Sequence, residues 1–424
     1  MTLLAPDAAP PRPRLDELPV AVIGAGPVGL AAAAELLERG REVILYEAGA
    51  AAGSAVADWG HVRLFSPWAQ LLAPAGVRLL AAHGWTAPEP EALPTGRQLV
   101  DGYLAPLAAL PELGARIRTG TRVVAVTRQG MDRTRTAGRA DTPFLLRLRN
   151  ASGEVTETLA RAVIDASGTF GTPNSLGSSG IDPMGIEKVR DLLAPALPDV
   201  LGRDRERFAG RRTLVVGAGH SAANTLLALT ALADEIPGTE ALWVIRNAAA
   251  VRVATPADDR LRARASLGSR AEALVDSGRI ERVTGFEILR LERAGDRVRL
   301  IGARGGALAD LDADVVVNAT GFRPDLGMLR EIRLDLDEIV EAPSRLAPLI
   351  DPNVHTCGTV ERHGFTELQQ PEPGFFLAGM KSYGRAPTFL LATGYEQVRS
   401  IAAWLAGDAA AARRVEPGLP AAGV

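Results

Sequence analysis

The chain has 424 residues, more than one ordinary hydrophobic core accommodates, so two or three domains are expected. Its 47 % hydrophobic and 23 % charged residues suit a globular protein, and a net charge of −3 gives no bulk attraction to nucleic acid or an anionic membrane. One cysteine, Cys357, rules out an internal disulfide framework or a CxxC pair, and five scattered histidines offer no zinc spacing.

Residues 1–18 are rich in Pro, Ala and Arg and read as a loose tail without the apolar centre of a signal peptide. No apolar run approaches a membrane span, and a cytoplasmic protein is expected. The first organised stretch is PVAVIGAGPVGLAAAAELLERGREVILYEAG. It predicts a buried parallel strand over 20–23, a helix over 28–39 closed by Gly40, and a strand over 42–46. In Gly24-Ala25-Gly26-Pro27-Val28-Gly29 the first glycine permits a tight turn, the second lets backbone approach a pyrophosphate, and the third lets helix and strand pack. Glu47, followed by Ala48, stands about 20 residues on, where a carboxylate accepts bonds from an adenosine ribose.

Residues 49–94 read as a long irregular segment holding Trp59, Phe65, Trp68 and Trp85. Those rings suit either a substrate wall or a cover for the core beneath. A helix is expected over 98–110 and strands over 117–127 and 144–149, with the Arg-rich excursion 128–143 between them as a solvated loop.

The glycine pattern then repeats in RRTLVVGAGHSAANTLLALTALADEIPGTEALWVIRN, with a strand over 213–216, a helix over 221–234 and a strand over 241–245. Its turn is Gly217-Ala218-Gly219-His220-Ser221-Ala222, and Arg246 replaces the acid at the end of the second strand. An arginine there suits the 2′-phosphate of NADP(H); the alternative is a plain surface arginine. VIDASGTFGTPN (163–174) and VVVNATGFRPDL (315–326) bracket this unit as paired crossings between two nucleotide domains. Residues 280–301 alternate like strands, and a helix is expected over 395–405, before a disposable tail. LAGMKSYGRAPTFLLATGYEQV (377–398) has the outline of a flavin clasp, with Gly379-Met380-Lys381 where Gly-Asp is customary.

From Val20 to about residue 408 this pattern resembles the flavoproteins with two dinucleotide-binding domains, nearest the branch of flavin-containing monooxygenases and N-hydroxylases. HVRLFSPW, PNSLG and the clasp segment are similar to a subgroup that includes flavin monooxygenases encoded with arsenic-resistance genes. The resemblance implies an α/β fold of two Rossmann-like domains. They would comprise an FAD domain in two parts (19–170 and 319–408) with an inserted NADPH domain (171–318), and a tail over 409–424. It implies FAD at Gly24, Ala25, Gly26, Pro27 and Gly29 with Glu47 and Ala48, and NADPH at Gly217, Gly219, His220, Ser221 and Ala222 with Arg246. Trp59 and Arg63 would stand near FAD, and Val123 would pair its backbone with the adenine. Gly168, Thr320 and Gly321, in the crossings, would also contact the cofactors, and Gly379, Met380 and Lys381 would form the clasp on FAD. Thr393 and Gly394 would set a helix N-terminus under the flavin. Ser66, Lys381 and Arg385 are the candidate catalytic residues.

The activity implied is NADPH-dependent oxygenation of a nitrogen, sulfur or metalloid centre of a small molecule by O2, through a flavin C4a-hydroperoxide, and a homodimer is compatible with it. The alternatives are a reductase without oxygenation and a nucleotide-sensing regulator without turnover. Two departures weaken the oxygenase reading without touching the fold: the fingerprint Phe-x-Gly-x-x-x-His is broken in RFAGRRTLVVG, where Leu214 occupies the histidine position, and the long loop carries LFSPW where classical members of the family carry an Asn near the flavin.

Overall fold

The computed structural model describes residues 14–247, 262–351, 363–387 and 389–414. Two parallel sheets are laid down by the same plan. In the first, β1 (Val20–Ile23) leads through helix α1 (Pro27–Glu38) to β2 (Val43–Tyr46). The chain then forms α2 (Ser54–Asp58) and α3 (Pro74–Ala82) before β3 (Ile117–Arg118) pairs with β2. An antiparallel sheet of β4 (Thr121–Arg128), β5 (Phe144–Asn150) and β6 (Val155–Ala160) intervenes, and β7 (Ala162–Asp165) returns beside β1. Every residue of β1 and β7 is buried, as continuous apolar runs in a parallel sheet require.

The second sheet begins with the short β8 (Leu193–Ala194) and then repeats the plan. β9 (Arg212–Val216), α4 (His220–Glu235), β10 (Glu240–Ile245), α5 (Arg262–Asp276) and β11 (Glu281–Thr284) follow in turn. An antiparallel excursion of β12 (Phe286–Ala294), β13 (Arg297–Arg304) and β14 (Ala307–Ala313) leads into β15 (Val315–Asn318), which returns beside β9. Finally β16 (Phe375–Leu377) joins the first sheet, and α6 (Leu391–Leu405) packs on α1. The strand orders are β16-β7-β1-β2-β3 and β11-β10-β9-β15-β8.

The two crossings meet each other. Asn174 N–H donates to Gly321 O at 2.9 Å, Arg323 N–H to Thr172 O at 3.0 Å, and Asn318 Nδ2 to Asn174 O at 2.8 Å. The rings of Phe170 and Phe322 pack at 5.2 Å.

Four expectations change. Residues 49–94 are not irregular throughout: they hold α2, a 3-10 turn at Trp68–Gln70 and α3. The helix expected over 98–110 starts at a Thr95–Gln98 capping box and passes through a π turn at Val100–Leu104. The Arg-rich excursion is clamped rather than solvated along its whole length. Arg128 and Arg139, 1 % and 3 % exposed, converge on the fully buried Glu372 at 2.7 and 2.8 Å, and the Arg128 guanidinium lies 3.6 Å over Phe144. Glu372 is 233 residues from Arg139, so the charge run reads as solvated from local sequence alone. Beyond residue 408, Asp408 caps the helix Ala409–Arg413, and Ser400 Oγ donates to Ala412 O at 2.6 Å, so this part of the tail is fastened. Cys357 and His355 lie outside the described residues. No helix among the described residues is long and apolar enough to cross a membrane.

Glu372→Gln removes the charge shared by two buried guanidiniums. Breaking such a pair costs about 3–5 kcal/mol, which should appear as a lower urea midpoint. Burial raises the Glu372 pKa, but the bonds from Arg139 and Arg128 outweigh it and hold the group below the ordinary glutamate value. A depressed folded-state pKa contributes stability present above the unfolded value and lost as pH falls through the folded one. The acid limb of the stability–pH curve should therefore be shallower in E372Q; superimposable limbs would contradict this.

Candidate functional site

The first glycine turn is shaped by what lies against it. Gly24 has φ +95°, and a Cβ there would stand 2.8 Å from Ala166 O and 2.9 Å from Ser167 Cα. A Cβ on Gly29 would come within 1.9 Å of Gly24 O, so this glycine lets α1 pack on the turn. Gly26 differs: nothing lies within 4 Å of its Cβ position. Open ground in front of the α1 N-terminus, with Pro27 starting the helix, is the cradle a pyrophosphate needs. Glu47 is set beside it. Its Oε2 accepts Ala25 N–H at 2.8 Å and its Oε1 accepts Gly49 N–H at 2.7 Å, with Ala48 exposed next to it. A carboxylate has about four lone-pair sites, so acceptors remain for ribose hydroxyls. The residues present fit the adenosine diphosphate part of FAD.

The second turn repeats this geometry. A Cβ on Gly217 would meet Ala319 O at 2.1 Å, and Gly219 again faces open space. Ala222 is fully buried at the third position, and His220 and Ser221 begin α4. The buried Trp243 donates Nε1–H to Gly217 O at 2.7 Å and fixes the turn from behind. Phe65, from the segment after α2, places its ring 5.2 Å from that of His220. Arg246 is exposed at the end of β10 and gives one N–H to Ser178 O at 2.7 Å. A guanidinium carries five N–H donors, so this arrangement also fits a phosphate.

Both crossing strands end in the same side-chain turn. Asp165 Oδ1 accepts Ser167 N–H at 3.1 Å and Ser167 Oγ–H at 2.7 Å. Asn318 Oδ1 accepts Thr320 N–H at 3.3 Å and Thr320 Oγ1–H at 2.7 Å. Gly168 and Gly321 follow with φ +70° and +98°.

The clasp and its surroundings correct several expectations. Lys381 does not project a free ammonium toward the flavin. It is fully buried, its Nζ 2.6 Å from the equally buried Asp165 Oδ2 and 3.1 Å from Ser167 Oγ. A carboxylate buried this deeply needs a cation buried with it. Met380 is half-buried, and Gly379, at φ +67°, donates its N–H to Gln397 Oε1 at 2.8 Å. Arg385 is exposed and paired with Glu341 at 2.8 Å, which raises its pKa, so its charge is already engaged. Ser66 is buried on a separate segment beside Phe65.

Thr393 and Gly394 are the third and fourth residues of α6. Both N–H groups bond to Leu390 O, and the Gly394 Cβ position is 2.7 Å from Val28 Cγ2 and from Phe389 Cζ. The helix starts four residues earlier than expected, which puts both residues in its first turn. Trp59 lies over Gly96, whose Cβ would stand 2.7 Å from Trp59 Cζ3, and the exposed Arg63 donates to Leu93 O. Each is held by its own neighbourhood. Val123 is buried at a bulge where the β4–β5 register shifts before Ala125, which takes Val124 out of the ladder. Of Trp68 and Trp85, the first is core and the second donates Nε1–H to Gly102 O at 3.1 Å, so they cover the core. Asp165, Ser167, Asn174, Asn318 and Gln397 were not singled out; only the DASG/NATG repetition pointed to some of them.

Residues 18–372 match the pyridine nucleotide-disulphide oxidoreductase family. The chain belongs to that family. It is a two-domain flavoprotein oxidoreductase with FAD and NADPH as its cofactors. A ferredoxin–NADP reductase of Granulibacter bethesdensis is 25 % identical over 389 residues, covering 91 % of this chain and 93 % of that one. Among solved structures, the bacillithiol disulfide reductase of Bacillus cereus superposes with a TM-score of 0.68 at 19 % identity, covering 92 % of this chain and 99 % of its own. DfoA, the cadaverine monooxygenase of Erwinia amylovora, gives 0.62 at 15 %, covering 95 % and 98 %. These likenesses show a shared fold.

The glycines separate binding from folding. Gly26→Val should fold, because its side chain meets open space, yet lose FAD affinity by about tenfold or more, some 1.4 kcal/mol. Gly29→Ala should instead fail to give folded protein. Full flavin occupancy in G26V would remove this turn from the FAD site.

Proposed function

We propose that the chain is an NADPH-dependent flavoprotein monooxygenase that oxygenates a nitrogen, sulfur or metalloid centre of a small molecule with O2. The carrying observation is the cysteine inventory set against the family fold. With Cys357 alone, no dithiol–disulfide pair within the chain can take electrons from the flavin, and oxygen is an acceptor that needs no second chain. The broken fingerprint is no obstacle to this reading, because Leu214 is a fully buried β9 residue paired between Leu242 and Val316. A histidine there would stand inside a sheet.

When bound, FAD takes a hydride from NADPH and passes electrons on; the protein supplies position and dryness. Glu47 and the α1 N-terminus would hold the adenosine and pyrophosphate of FAD, and the α4 N-terminus and Arg246 those of NADPH. The Phe65–His220 contact supports a role in bringing the first domain's segment over the second glycine turn and excluding water there.

A second reading, a reductase that hands electrons to a protein acceptor, is favoured by the relative that is a ferredoxin–NADP reductase. Turnover under 18O2 with candidate amines, thioethers and trivalent arsenicals distinguishes the two. The monooxygenase should put label into product with near one product per NADPH. Flavin reoxidation that needs a one-electron protein acceptor, with no labelled product from any substrate class, would establish the reductase.

Arg246→Ala should weaken NADPH binding by about tenfold or more, as loss of a charge-assisted phosphate contact does, and leave NADH nearly unchanged. Equal losses for both would refute the 2′-phosphate role.

A further inference from the structure

The flavin clasp lacks its acid. Met380 stands in that position and offers no oxygen, while Lys381, one residue on, is turned into the core. The side chains that meet Lys381 are those of the first crossing. Ser167 Oγ–H donates to Asp165 Oδ1 at 2.7 Å, and Lys381 Nζ donates to Ser167 Oγ at 3.1 Å and to Asp165 Oδ2 at 2.6 Å. A serine hydroxyl has one proton and two lone pairs. Its proton and one lone pair are thus engaged by two fully buried charges, and one lone pair remains.

Ser167 itself is exposed. It stands against the first glycine turn, its Cα 2.9 Å from the Gly24 Cβ position. The clasp converges on the same helix end: Gly379 and Gly394 place their Cβ positions 3.2 and 2.7 Å from Val28 Cγ2, in the first turn of α1. The second domain shows which part of this is particular to the first. There the corresponding residue is the neutral Asn318, whose Nδ2–H donates to Asn174 O at 2.8 Å, and no lysine enters.

We propose that Ser167, locked as an acceptor by the buried Asp165–Lys381 pair, takes the place of the missing clasp acid and accepts a hydrogen bond from a ribityl hydroxyl of FAD. Lys381 and Asp165 are positioning residues, which act through Ser167. The proposal rests on FAD lying along the Gly24–Gly29 turn, as in the function proposed above.

The test is FAD affinity of the apoprotein by flavin fluorescence quenching, with thermal unfolding of the apoprotein alongside. Ser167→Ala should weaken FAD about five- to tenfold, as loss of one hydrogen bond does, with apoprotein unfolding unchanged. Ser167→Thr, which keeps the hydroxyl as Thr320 does in the second domain, should restore affinity to within about twofold. Lys381→Met alone leaves a buried charge and is expected to misfold. Asp165→Asn with Lys381→Met copies the neutral second crossing and should fold; Ser167 keeps an oxygen to donate to but loses its charged lock, so FAD affinity should fall between those of S167A and the wild type, and affinity equal to the wild type would remove the positioning role of the pair. Glu47→Gln serves as the control for location. If S167A binds FAD like the wild type while E47Q binds it less well, the Ser167 role is overturned and the FAD site stands. Wild-type affinity in both would overturn the FAD site as well.

Discussion

Both halves of the molecule depend on one close approach, that of a glycine turn to the carbonyl of the strand that returns beside it. Gly24 against Ala166 O and Gly217 against Ala319 O leave no room for a Cβ, at 2.8 and 2.1 Å. Because the glycine facing that carbonyl carries no side chain, the crossover strand can lie next to the strand that leads into the turn, and the residue after that carbonyl is held over the turn. Ser167 and Thr320 therefore occupy matching places in two sheets whose other sequence differs. Each sheet also closes the same way, with a three-stranded antiparallel excursion just before the strand that returns beside β1 or β9.

The two halves are joined at the crossings and beside the second glycine turn. Asn174 ties the outgoing crossing to the returning one through its backbone, and its carbonyl also takes the amide of Asn318. Phe65 reaches from the first domain to His220 at the start of α4. A shift of one domain against the other would disturb both contacts.

Three carboxylates, one half-buried and two buried, are settled in three ways. Glu47 is met by backbone amides and stays available to a ligand. Glu372 is met by two arginines and closes a structural clamp. Asp165 is met by one of only two lysines in the chain. A compact ammonium with three donors can serve the carboxylate and the neighbouring hydroxyl together, whereas a planar guanidinium favours the paired geometry seen at Glu372. The charge arrangement therefore divides the site into ligand-facing, supporting and purely structural acids.

The two glycine turns, the strands and helices flanking them, and the paired crossings were legible in the sequence because their signals are local. A buried parallel strand is a short apolar run, and a turn against a carbonyl demands glycine at a fixed place. The antiparallel strand β6 carries a mostly exposed pattern and was missed for the same reason: it has little apolar signal. What only the tertiary structure decided is where the charged and aromatic side chains go. Lys381 finds Asp165 from 216 residues away, Arg139 finds Glu372 from 233, and Arg385 finds Glu341 from 44. Residue type states that a lysine must meet an anion if buried. Which anion it meets, and whether that leaves it facing a cofactor or the core, is set by packing between distant segments.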